Sequence, residues 1–253
     1  TVSMSEWAGS ATLDAVVQEN ETIEAVGDFR VDSTWAGAVD LREARATIDT
    51  LTYELTRPSR IEWDDASIAV DDLGVVRSGT VPMRLAASGR LSREGESDFD
   101  LQAEGLDLEI VARLAQRGDL ELGGDVDLDL KVTGPASTPS INGSVHAHDP
   151  RYSTLVLDSI DGSLSYRSRA ATVDLTAWRQ GRQVFRTEGR VPVNLALDRG
   201  EGDLTVDAPM DLRVVADSMD AVTVTGYLAF MEDVTGSISG DFRVRGTLDQ
   251  PSP

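Results

Sequence analysis

The chain has two histidines, and both fall in one stretch, His146-Ala-His148-Asp149. Residues two apart on a strand share a face, so the imidazoles form a plausible two-ligand arm for zinc. No third ligand is identifiable beside them, and a solvated strand face ending at Pro150 explains the same residues. Asp125, Asp127 and Asp129 resemble a calcium ladder but lack the glycine and closing glutamate of an EF-hand loop. Strand geometry spreads them along one solvated edge instead. Gly200-Glu-Gly202 lacks the third glycine and the helix of a dinucleotide fingerprint and reads as a hairpin turn. Gly236-Ser-Ile-Ser-Gly240 places isoleucine where a nucleophile elbow needs serine. With 44 acidic side chains some carboxylate pairing is inevitable, and none stands out as the converging pair of a glycosidase. No catalytic residue, metal ligand or cofactor is therefore assigned, and the chain is expected not to be an enzyme.

Composition narrows the partners. The net charge is −21, which argues against nucleic acid and against electrostatic docking on anionic membranes. Lys131 is the only lysine, and no cysteine occurs, so disulfide and thiolate chemistry are excluded. Aromatic residues make up 5%, too few to fill a thick core, and the apolar side chains are mostly Val, Leu and Ala. Such a mix suits a long sheet with one apolar face. No apolar run reaches membrane-spanning length. The chain starts at Thr1 and ends at Pro251-Ser252-Pro253, where its repeat would enter another strand, and is read as a piece of a longer protein.

That repeat organises the elements. Gly124 to Gly134 is an alternating strand closed by glycine, followed by a short turn and then Pro139-Ser140. Gly236 to Gly246 and Pro251-Ser252 repeat the pattern at a constant offset. Upstream, Ala103 to Asp107 matches Ala216 to Asp220, and each lead-in precedes a segment without alternation. Leu106, Ile110 and Leu114 recur at helical spacing, with Asp107 as the cap, which predicts a short helix. A second short helix after Asp220 is weakened by Gly226. The expected divisions are 1–102, 103–215 and 216–253: a sheet segment, a central repeat of helix and strand train, and the start of the next repeat.

Elsewhere strands recur about every ten residues, the spacing of an all-β chain with short connections. Val126, Leu128, Leu130 and Val132 share one face, opposite Asp125, Asp127, Asp129 and Lys131. The same grammar covers Leu85; Leu101; Leu155 and Leu157; Leu164 and Tyr166; and Val173 and Leu175. It continues through Val193, Leu195 and Leu197; Leu204 and Val206; and Leu212 and Val214. Breaks are expected at Asp64-Asp65, Asp71-Asp72, Asp161-Gly162, Gln180-Gly181, Arg199-Gly200 and Ala208-Pro209. The apolar face either folds onto itself as a closed core or lines an open groove. Periodicity alone favours the closed core.

The segment from Gly123 through Gly134, Pro139 and Gly143 to Val145 resembles the repeat of TamB-like and AsmA-like envelope proteins. The duplicate copy and the strand train after Gly143, through Leu155 to Tyr166, strengthen the likeness over residues 80–253, while 1–80 fit only as generic strands. The resemblance implies an elongated, curled antiparallel or mixed sheet forming a taco-like open groove. It implies a periplasmic protein anchored in the bacterial inner membrane by an N-terminal helix outside this sequence. Phospholipid acyl chains would travel in the groove between the membranes, lined by the strand residues named above from Leu85 to Val214. It further implies an outer-membrane β-barrel assembly protein as partner. The competing expectation is a structural or adhesive β-repeat of a cell-surface protein with a closed core.

Overall fold

Alternation of Val, Leu, Ala and Gly with Asp, Glu and Arg leaves little that can pack as helix, and the computed structural model is nearly all β and antiparallel. It describes residues 6–18, 21–48, 51–79, 82–114, 122–152, 155–198, 204, 206–220, 237–247 and 250–252. The chain divides into two compact units. One comprises Thr1–Gly105 with Asp129–Pro139, the other Leu106–Leu128 with Ser140–Pro253.

The first unit contains β1 (Glu6–Gln18), β2 (Glu21–Asp32), β3 (Gly37–Ile48), β4 (Leu51–Leu55), β5 (Ser59–Trp63), β6 (Ser67–Arg77), β7 (Met83–Ser92) and all but the last two residues of β8 (Glu96–Asp107). These pair in sequence order, except that β4 and β5 both lie between β3 and β6. Pro58, which has no N–H to give a ladder, separates them, and Thr56 N–H donates to Gly74 O at 2.8 Å to hold the break. Asp71-Asp72 does not end a strand as expected. It forms a bulge within β6, with Asp72 at φ 55 and its carboxylate paired to Arg57.

The second unit contains α1 (Leu108–Leu114), β10 (Ser140–Tyr152), β11 (Leu155–Val156), β12 (Ser159–Arg167), β13 (Ala170–Arg179), β14 (Arg182–Pro192), β15 (Met210–Asp220), β16 (Ser237–Gly246) and β17 (Pro251–Ser252). Its pairings run consecutively from β10 to β17, with β11 as a two-residue extension against β10. Strand β9 (Leu122–Pro135) gives its first half to this unit and its second half to the other. The expected helix is present as α1, and Asp107 caps it by accepting from Glu109 N–H at 2.8 Å. The second expected helix lies outside the described residues.

Three expectations about connections change. Asp161-Gly162 is not a turn but the middle of β12. Strand β10 does not end at Pro150 but runs to Tyr152, carrying Asp149 at φ 45. The expected division at 215/216 falls inside β15, and the second repeat copy belongs to the second unit. The Gln180-Gly181 turn is present, with both residues at positive φ, as a two-residue hairpin matched to strand twist requires. Arg199-Gly200 lies outside the described residues.

The two repeat copies form the same local structure. Gly134 and Gly246 both take positive φ, 91° and 86°. Each is followed by an equivalent turn: Thr138 N–H donates to Pro135 O at 3.0 Å, and Gln250 N–H to Thr247 O at 3.2 Å. Pro139 is fully buried before β10 starts, and Pro251 opens β17.

Candidate functional site

Directly opposed residues on antiparallel strands share a face, so the ladder register sorts side chains without appeal to hydropathy. In the second unit Tyr166 opposes Ile141 and Ala171, and Leu164 opposes Gly143 and Val173. Gly162 lies between Val145 and Leu175. The row continues through Val191, Gly189, Thr187 and Phe185 of β14 to Leu212, Val214 and Ala216 of β15. Phe242 and Val244 of β16 extend it. Leu164, Tyr166, Val173, Leu175, Leu212 and Val214 therefore share one face, as expected from alternation.

The first unit has the same construction. Leu85 opposes Val75 and Ala103, and Leu101 opposes Ala87. The row reaches Leu55 and Tyr53 of β4, Ile61 and Trp63 of β5, and Val39 and Leu41 of β3. Phe29 of β2 opposes Gly9 of β1, and Val31 opposes Trp7. Residues before 80 thus join Leu85 and Leu101 on one face of this unit. Of β9, Leu130 and Val132 fall on that face too, because the alternating Asp129 and Lys131 reach Gln102 and Asp100 on the other side. In the second unit Asp127 accepts from His148 at 2.9 Å, so Val126 and Leu128 face away from the histidines. Val126 and Val132 are buried; Leu128 and Leu130 are half-buried.

On the apolar face of each unit, large side chains lie along the strands over bare glycines. The Trp63 ring covers Gly37, where an added Cβ would meet Cζ2 at 2.7 Å. Leu175 covers Gly162, and Phe242 folds back on Gly240, its Cζ 2.5 Å from where a Cβ would sit. Such lateral packing supports a strand glycine from a neighbouring residue. In the first unit Trp7, Leu13, Ile23, Ile48, Leu51 and Ile68 remain exposed on its apolar face, and in the second unit Phe242 does on its own.

Among the described residues, the second unit covers its face at two places. Leu157, Ala177 and Val184 form a buried cluster with Leu155, Ile160 and Phe185 packed against it. At the opposite end of β12, Tyr166 is 1% exposed, and its hydroxyl accepts from Leu195 N–H at 2.9 Å. Here three expectations are corrected. Strand β14 stops at Pro192; Val193 makes an isolated bridge, and Leu195 and Leu197 leave the ladder. Proline cannot donate to a ladder, and the freed segment folds back to the Tyr166 hydroxyl. Leu204 and Val206 also lie outside any strand; Leu204 is exposed, its carbonyl accepting from Asn194 N–H at 2.9 Å. Leu157 is a buried loop residue and Leu155 belongs to the short β11. Between the covered places Leu164, Val173, Leu175, Leu212 and Val214 are half-buried.

In each unit the reverse face carries ion pairs. Arg60 joins Asp40 and Glu62, Lys131 joins Asp98 and Asp100, and Arg213 joins Glu188 and Asp241. Hydrogen bonds to Asp100 and then Asp98 raise the Lys131 pKa, and the Arg213 bond lowers that of Asp241. His146 Nδ1 meets Asp161 at 2.5 Å, and the two imidazoles stand edge to face with centroids 4.3 Å apart. Each histidine has its own carboxylate, and among the described residues no cluster of three metal-ligating side chains occurs. Among those residues, too, no helix is long and apolar enough to cross a membrane.

Sequence reasoning missed Ile160, Val184 and Phe185 at one end of the second unit's face. Val184 sits at the β13–β14 register shift, which alternation cannot locate. No protein-family model, curated protein or solved structure matches the chain.

Proposed function

We propose that this chain is part of a TamB-like or AsmA-like periplasmic protein anchored in the inner membrane. Its apolar sheet face carries phospholipid acyl chains between the bacterial membranes and supports outer-membrane protein assembly, with an outer-membrane barrel protein as partner. The observation that carries this is the one-sided face: in each unit, aliphatic rows run from strand to strand while charged ladders occupy the reverse. Large apolar patches left exposed on one side mark binding surfaces. An acyl chain of about sixteen carbons releases on the order of 10 kcal/mol when fully buried, at about 0.8 kcal/mol per CH₂. The face works passively, shielding tails while head groups stay in water, and needs no catalytic group.

A second reading, a closed structural or adhesive module, draws support from the Tyr166–Leu195 cover and the Leu157 cluster. One experiment separates the two. Native mass spectrometry of the chain purified from cells should detect bound phospholipid, and Leu128→Asp or Leu130→Asp should remove it while the circular dichroism spectrum is kept. Unfolding of both variants with no lipid on the wild type would leave only the closed module.

A further inference from the structure

The β2–β3 turn is built to hold a bulky aromatic residue in water. Asp32 Oδ1 accepts from Thr34 N–H at 2.7 Å, from Thr34 Oγ1 at 2.7 Å and from Ala36 N–H at 3.1 Å. Trp63 Nε1 donates to Trp35 O at 2.8 Å, so the backbone of Trp35 is held from β5 as well. Yet Trp35 sits at φ 67 with 80% of its surface exposed. The left-handed region penalises a bulky side chain, and glycine or asparagine would close the same turn without that strain. A strained, exposed tryptophan in a well-bonded turn is an expensive way to make a turn and an effective way to present an indole.

What surrounds Trp35 identifies its partner. On the apolar face, the row at this end runs Trp7, Val31, Gly37, Trp63, Ile68, with Trp7 63% and Ile68 42% exposed. At the same end Arg30, Arg90, Asp32, Glu62 and Asp64 line a cleft of about 320 Å³ whose wall Trp63 of that row also forms. This end of the first unit is therefore apolar along the row, mixed in charge in the cleft, and aromatic at the lip. Indoles favour the boundary between hydrocarbon and head groups. Interleaved arginines and carboxylates match a phosphate beside an ammonium, whereas the net charge of −21 opposes an anionic surface.

We propose that this end of the first unit, with Trp35 at its tip, docks on a zwitterionic lipid bilayer. Acyl chains then pass onto the apolar face at the Trp7–Trp63 row, a step that rests on the acyl-carrying function proposed above. The test uses phosphatidylcholine vesicles, phosphatidylglycerol vesicles and detergent-dispersed phosphatidylcholine, with the wild type and Trp35→Gly. Glycine relieves the φ strain, so the variant should melt no lower than the wild type. Wild-type protein should co-sediment with phosphatidylcholine vesicles, and Trp35→Gly should bind them about tenfold more weakly. Both should take up lipid equally from detergent. Equal vesicle binding by the two proteins, or binding of the wild type to anionic vesicles alone, overturns the docking assignment. Docking through Trp35 with no acyl uptake from detergent leaves the docking site standing and removes the transport function.

Discussion

At the scale of single residues, the polar atoms near the apolar face have defined partners. Among the described residues Tyr166 is the largest fully buried side chain, and its hydroxyl is the acceptor for Leu195 N–H. Tyr166→Phe should leave that amide without its partner and cost about 1–3 kcal/mol in urea denaturation. Leu157→Ala, which opens the cluster around Ala177 and Val184, should cost about 2–3 kcal/mol. Asp32 offers a pH test with a definite sign. The Thr34 hydroxyl, helped by backbone amides, lowers its pKa, so the folded state releases this proton more readily than the unfolded chain. The stabilisation is present above the unfolded value of about 4 and is lost as pH falls through the lower folded value. The stability difference between wild type and Asp32→Asn should therefore shrink as pH drops below about 4, measured by melting at matched ionic strength. Little of this was legible in the sequence. Asp32 and Tyr166 look like any turn aspartate and strand tyrosine until the chain brings Thr34 and Leu195 to them.

At the scale of elements, the β9 face was legible because Leu or Val occupies every second position from Val126 to Val132. In β1 to β3 the apolar face of the first unit is built in good part from alanine and glycine, including Gly9, Ala11, Ala25, Gly27, Ala44 and Ala46. A hydropathy pattern cannot distinguish such positions from turns, and the sheet reveals them only through register. The same ambiguity explains Asp161-Gly162, whose glycine marks not a turn but the place where Leu175 lies across β12. The repeat was legible because a glycine at positive φ and a proline are demanded at fixed places in each copy. Glycine beneath a neighbouring ring gives an element-scale prediction. Gly37→Ala would bring a Cβ to 2.5 Å from Arg30 O and 2.7 Å from the Trp63 ring. The backbone contact cannot yield by side-chain rotation, so the variant should lose about 1–3 kcal/mol, and thermal melts would register the loss.

At the scale of the whole molecule, a chain of net charge −21 carries, within each of its two units, ion-pair ladders on one side of the strands and aliphatic rows on the other. Exposed pairs each contribute little, and self-repulsion among excess carboxylates is screened once the Debye length falls to about 10 Å near 0.1 M salt. Added sodium chloride should therefore raise the melting temperature. Register slip by one residue would exchange the two sides, so face identity is the central claim. A photo-crosslinking residue such as p-benzoylphenylalanine in place of Leu164 samples the aliphatic side; in place of Ser165, one position along β12, it samples the charged side. Irradiated in cells, the first protein should carry phospholipid adducts and the second should not. Adducts at neither position, or equally at both, would contradict an acyl-carrying face.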